Sequence, residues 1–176
     1  MIVCIGDSIT AGQHVNTAWP QLLNHGEVVR AAGVPGDTTR LGLERFPRDV
    51  QEHEPEVVVI QFGHNDANRW QTDRGLPRVS PEAFAANLTE MIARSRAFGA
   101  APYLCTLTPS RRSAAHAFDS LAYDGLVREV AQRTGVPLID VAAAFDGRAG
   151  LLLADGLHLS PEGHRVYAET VMRVLG

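Results

Sequence analysis

Five short apolar runs recur along the chain, at 1–5 (MIVCI), 27–31 (EVVRA), 56–61 (EVVVIQ), 101–106 (APYLCT) and 136–141 (VPLIDV). Their length and their β-branched content predict five buried parallel strands. The segments between them carry helical signals. Residues 80–98 open on Ser80-Pro81, an N-cap followed by proline at the first helical position, and repeat apolar groups at Phe84, Leu88, Met91, Ile92 and Phe98 before Gly99. Residues 117–134 place Phe118, Leu121, Leu126 and Val130 along one side and end at Gly135. A last helix is predicted from Ser160-Pro161, burying Val166, Tyr167, Val171, Val174 and Leu175, and segment 37–53 reads as a helix that Pro47 kinks or divides. Strand and helix alternate from end to end without repeats or a linker, which predicts one domain over 1–176, an α/β sheet covered on both faces.

Composition narrows the chemistry. The chain has 176 residues, is 45% hydrophobic, and carries 20 acidic against 16 basic residues for a formal charge of −4. All of the basic residues are arginine, so a P-loop lysine or a Schiff-base lysine is excluded. Arginine is nowhere dense enough to follow a phosphate backbone, which argues against a nucleic-acid partner. No apolar run approaches the ~20 residues of a membrane span, and a cytoplasmic protein is the expectation. Cys4 and Cys105 each lie inside an apolar run and read as buried free thiols rather than a disulfide or metal ligands.

In an open α/β sheet, ligands bind beyond the carboxyl ends of the strands. The segments leaving those ends are Gly6-Asp7-Ser8, 32–38, 62–68 and 142–160, and together they hold what acyl transfer needs. Ser8 supplies a hydroxyl at the end of the first strand, although Gly-Asp-Ser alone reads as well as a turn or cap. Asp155 and His158 flank Gly156-Leu157 in the loop before the last helix, where a carboxylate can hold the imidazole with its second nitrogen free to take a hydroxyl proton. An Asx-turn beside an exposed histidine is the competing account of that tetrapeptide. Asn65, in Gly63-His64-Asn65-Asp66, can donate to an oxyanion without adding a titrating charge. Gly36 offers an unobstructed backbone N–H, or an ordinary Pro-Gly turn.

The four segments, in this order, resemble the SGNH hydrolases, the GDSL family of esterases and lipases, over nearly the whole chain. The resemblance implies a flavodoxin-like three-layer α/β/α sandwich with a five-stranded parallel sheet, and a serine esterase that uses no cofactor. It implies a Ser8, Asp155 and His158 triad, with Ser8 N–H, Gly36 N–H and the Asn65 side chain as oxyanion donors. Two positions depart from the pattern: Ile9 replaces the leucine of the GDSL motif, and Ala31 stands where many members carry an asparagine that supports the Gly36 loop. A Gly-x-Ser-x-Gly elbow is absent, which separates the chain from the α/β-hydrolases.

Two competing readings remain. One is a metal-dependent hydrolase using His64, Asp66, Asp155, His158 and His164, although no His-Glu-x-x-His is present and His164 reads as a surface or cap residue. The other is a non-catalytic acyl- or glycan-binding domain of the same fold. The expected partner is a small or soluble acyl ester (an acetyl ester, a thioester or a lysophospholipid-like molecule), because no long apolar insertion supplies a lid. Trp70, Arg69, Arg74 and Arg78 form a candidate wall for a polar or anionic group, and Arg111-Arg112 is a weaker one.

Overall fold

The computed structural model describes residues 1–24 and 26–176, with the side chains of Ala117 and Phe118 excepted. The expectation for Phe118 therefore lies outside the described residues. Strands β1 (Ile2–Gly6), β2 (Val29–Gly33), β3 (Val57–Gln61), β4 (Ala101–Cys105) and β5 (Leu138–Ile139) form one parallel sheet in the order β2-β1-β3-β4-β5. This is the doubly wound, flavodoxin-like order, and its switch point lies between β1 and β3.

The alternation of side chains along the strands divides the core in two. Val3, Ile5, Val58 and Ile60 face one side, where they pack with Phe46, Phe84, Leu88, Met91 and Val127. Those partners come from α2 (Thr39–Asp49), α4 (Pro81–Ala97) and α5 (Ala114–Thr134). Ile2, Cys4, Val59, Cys105 and Ile139 face the other side. There they meet Trp19, Val141, Phe145, Val166, Tyr167 and Val171, from the short turn at Trp19–Leu22, from α6 (Val141–Phe145) and from α7 (Pro161–Leu175). Both cysteines are free and buried in this second layer. Two further short helices, α1 (Ser8–Ala11) and α3 (His64–Ala67), leave the carboxyl ends of β1 and β3.

The caps read from sequence form as expected. The Ser80 and Ser160 hydroxyls accept from the N–H groups of Ala83 and Gly163, and Gly135 ends α5 in the left-handed region. Several expectations are corrected. Phe98, Leu121 and Val174 are exposed, because Phe98 caps the end of α4 and the other two lie off the buried stripe of their helices. Pro47 does not divide α2, which runs on to Asp49 before the break at Val50. The fifth strand is shorter than 136–141, since Asp140 turns the chain by capping α6. Among the described residues no helix is long and apolar enough to cross a membrane.

His164 is also not a surface residue. It is buried in α7, and its Nδ1 accepts the Trp19 backbone N–H at 3.1 Å. Burial, with the nearby His158, pushes its pKa down to about 4. The unfolded chain therefore binds a proton below about pH 6.5 that the folded chain refuses until about pH 4. Stability from this group falls as pH drops through that window, by roughly 1.4 kcal/mol per unit. Burial raises the carboxyls of Asp7 and Asp66 to about 7 and about 6, which acts in the opposite direction, so the test is a comparison with a variant. His164→Asn keeps an acceptor for Trp19 and should flatten the acid side of the urea-midpoint profile between pH 6.5 and 4.5. An unchanged profile contradicts this assignment.

Candidate active site

Three of the loops leaving the strand ends converge at the switch point. Gly6 is required by close approach: a Cβ there would run into the Thr10 hydroxyl and the Gln61 carbonyl. The chain then turns at Asp7, whose carboxylate caps α1 by accepting from Ile9 N–H at 2.9 Å. Ser8 is thereby the first residue of α1, a position whose N–H has no acceptor within the helix.

The Asp155–His158 loop is ordered by its own carboxylate. Asp155 Oδ1 accepts the backbone N–H groups of Leu157 and His158, each at 3.0 Å, so the Asx-turn forms. Its second oxygen faces His158 Nδ1 at 2.5 Å, and His158 Nε2 lies 3.0 Å from Ser8 Oγ. Burial alone would raise the Asp155 carboxyl, but the bonds from His158 and the two N–H groups outweigh it and bring it down to about 2. An ionised carboxylate only accepts, so the imidazole proton sits on Nδ1 and Nε2 accepts from the Ser8 hydroxyl. The Asx-turn and the approach of His158 to Ser8 belong to one arrangement.

Asn65 is the second residue of α3, beyond β3. Its Nδ2 donates to the Asp37 carbonyl at 2.9 Å and approaches Asp7 Oδ2 at 3.4 Å. The amide thus spans the residue before Ser8 and the residue after Gly36. Gly36 sits at φ +83° as the third residue of a turn closed by Asp37 N–H on the Val34 carbonyl. A left-handed third position after proline selects glycine. A Cβ there would meet open space, so this edge of the site carries no side chain.

Sequence reasoning missed the residue that braces this arrangement. Arg45, on α2, donates to Asp37 (2.6 Å), Asp49 (2.9 Å) and the carbonyls of Ala32 and Gly6 (2.9 Å each). One planar guanidinium therefore joins the first two strand-end loops, and supplies the support that Ala31 does not. The available signal was the Arg45/Asp49 spacing of four within α2. Arg45→Met should cost roughly 3–5 kcal/mol in chemical denaturation, because it strands buried carboxylates. A loss under 1 kcal/mol would contradict the bracing role.

Of the five residues considered as metal ligands, Asp155 and His158 come together and the other three are held elsewhere. His64 is buried with its nitrogens 3.3 Å from the Ser120 and Thr108 hydroxyls, and burial beside His116 and His158 pushes its pKa down to about 3. Asp66 accepts the Thr39 N–H and hydroxyl, and His164 is engaged by Trp19. Behind this layer His116 donates through Nε2 to the His64 carbonyl at 3.2 Å and accepts from Ser110 at 2.9 Å.

A model of the GDSL-like Lipase/Acylhydrolase family matches residues 4–166. The chain belongs to this family. Among similar proteins, the arylesterase of Vibrio mimicus is 28% identical over 99% of this chain and 87% of its own. The Bacillus subtilis lipoprotein YqeF is 31% identical over 97% of this chain and 87% of its own. The structure of a lipolytic protein of the G-D-S-L family from Desulfitobacterium hafniense aligns over 98% of both chains, with a TM-score of 0.85 and 25% identity. The chain is accordingly a GDSL hydrolase that cleaves ester bonds.

Around the site of this GDSL hydrolase, the candidate wall residues separate. Arg78 donates to the Gly36 carbonyl at 2.8 Å and lies 4.5 Å over the Trp70 ring. Both line an open groove of about 480 Å³ with Thr38, Arg40, Leu41 and Leu76. Arg69 is drawn away to Asp119 at 2.7 Å and to the Gly75 carbonyl. Arg74 is exposed and ends the turn at Gln71–Asp73.

Proposed function

We propose that the enzyme hydrolyses small or soluble acyl esters through an acyl-enzyme on Ser8. The observation that carries this reading is the continuous chain from Asp155 through His158 to Ser8, at 2.5 and 3.0 Å. Ser8 Oγ attacks the acyl carbon as its proton passes to His158 Nε2, and Asp155, held ionised, stabilises the imidazolium. The oxyanion is received by Ser8 N–H, Gly36 N–H and Asn65 Nδ2, whose looser contact with Asp7 yields to the substrate. Collapse breaks the acyl–oxygen bond, and the imidazolium proton leaves with the alcohol. Water then repeats the sequence and frees the acid.

The groove lined by Thr38, Leu41, Trp70 and Arg78, whose guanidinium donates to the Gly36 carbonyl, supports a soluble substrate with a polar portion beside a short apolar one. An acyl-chain and leaving-group panel tests this: acetyl to butyryl esters of soluble alcohols should give higher kcat/KM than long-chain emulsions. A preference for emulsified long-chain esters overturns it. A burst of released alcohol equal to the enzyme concentration tests the covalent intermediate.

A further inference from the structure

His14 lies in the turn that follows α1, six residues beyond Ser8, and takes no part in the mechanism above. Its ring stands edge-on to that of His158, with centroids 5.0 Å apart and planes at 84°. One donor atom each from His14, Asp155 and His158 fall within 4.8 Å of one another. Among the described residues this is the one such group of three histidine, cysteine or carboxylate ligands. His14 and Asp155 are exposed and His158 is half-buried, so an ion can reach all three from solvent.

We propose that His14, Asp155 and His158 form an inhibitory zinc site, which switches off the Ser8 relay by capturing its imidazole. The proposal rests on the catalytic reading of His158 given above. Two imidazoles and a carboxylate, with a fourth position left to water, suit Zn²⁺ and offer little to Mg²⁺ or Ca²⁺. Tetrahedral zinc holds its ligand atoms about 3.4 Å apart, given Zn–N and Zn–O bonds of about 2.1 Å. The group therefore has to draw in from 4.8 Å to hold the ion.

The consequence follows from which lone pairs are used. Coordination through His158 Nε2 consumes the pair that would take the Ser8 proton. Coordination through Nδ1 moves the ring proton to Nε2, which then has no lone pair for the Ser8 hydroxyl, and takes the imidazole from the Asp155 carboxylate. Either way the general base is lost, with no bond made to Ser8. A cofactor metal would behave oppositely, since a chelator would then abolish hydrolysis rather than restore it.

The test pairs a binding measurement with an activity measurement. Zn²⁺ is titrated calorimetrically into Ser8→Ala, which keeps all three ligands, and into Ser8→Ala/His14→Asn. Asparagine tolerates the left-handed backbone at position 14, where φ is +75°. One Zn²⁺ per chain should bind the first, with affinity roughly tenfold or more weaker in the second. In the otherwise native enzyme, Zn²⁺ should inhibit ester hydrolysis reversibly and EDTA should restore it. His14→Asn alone should retain activity and need roughly tenfold more Zn²⁺ for half-inhibition, and Mg²⁺ should inhibit neither. Zinc binding that is absent, or unaffected by His14→Asn, overturns the proposal. Binding that depends on His14 but leaves hydrolysis intact overturns the inhibitory role and points to an error in the assignment of His158. Because calorimetry reads the site without turnover, failure of the metal site and failure of the catalytic reading give different results.

Discussion

Ser8→Ala and His158→Ala are each expected to lower kcat for a small activated ester by roughly 10⁴–10⁶-fold while the thermal midpoint changes little. The two groups act in a single step, so the double variant should be scarcely slower than either alone. The small stability effect follows from their positions. Ser8 gains its place from the backbone of a four-residue helix capped by Asp7, and the Asp155 loop is held by its own N–H bonds whether or not the imidazole is present. A steady-state assay with matched thermal melts decides the matter. Near-native turnover in either single variant contradicts the relay.

The second large effect is at Asn65. Removing a single oxyanion donor typically costs 10²–10³ in rate, or about 3–4 kcal/mol of barrier, and the loss is confined to the transition state because the oxyanion exists only there. Asn65→Ala should therefore reduce kcat by roughly that factor and leave KM within a few-fold of its original value. The same side chain also donates to the Asp37 carbonyl, so part of the cost is displacement of the Gly36 turn. Arg45→Lys separates the two contributions. It keeps the positive charge and the Asn65 donor but lacks the planar fork that grips both loops, so it should lower kcat less than Asn65→Ala and lower stability more. A raised KM with kcat unchanged in Asn65→Ala would place the residue in substrate binding instead.

The sheet was legible because each strand is a short apolar run bounded by polar or glycine positions, and the order of strand-end loops then placed the polar residues at one edge. That order is what brought Ser8, Gly36, Asn65, Asp155 and His158 forward as candidates for one edge of the sheet. The registers of helix faces were less so. Leu121 is apolar yet exposed, whereas Arg45 is charged yet nearly enclosed, because hydrophobic periodicity cannot distinguish a solvated leucine from an arginine that several buried acceptors satisfy. His164 was misread for the same reason: an acceptor for a main-chain N–H 145 residues away leaves no local trace. His14 was silent because its neighbour His158 is brought to it only by the fold.

The central claim is that the Ser8 hydroxyl is the group that attacks the acyl carbon. Incubation with a fluorophosphonate, digestion and peptide mass spectrometry measures this most directly. One phosphonyl adduct per chain is expected, on Ser8, and its formation should stop in His158→Ala. An adduct on another residue, or full labelling of Ser8 without His158, would contradict it.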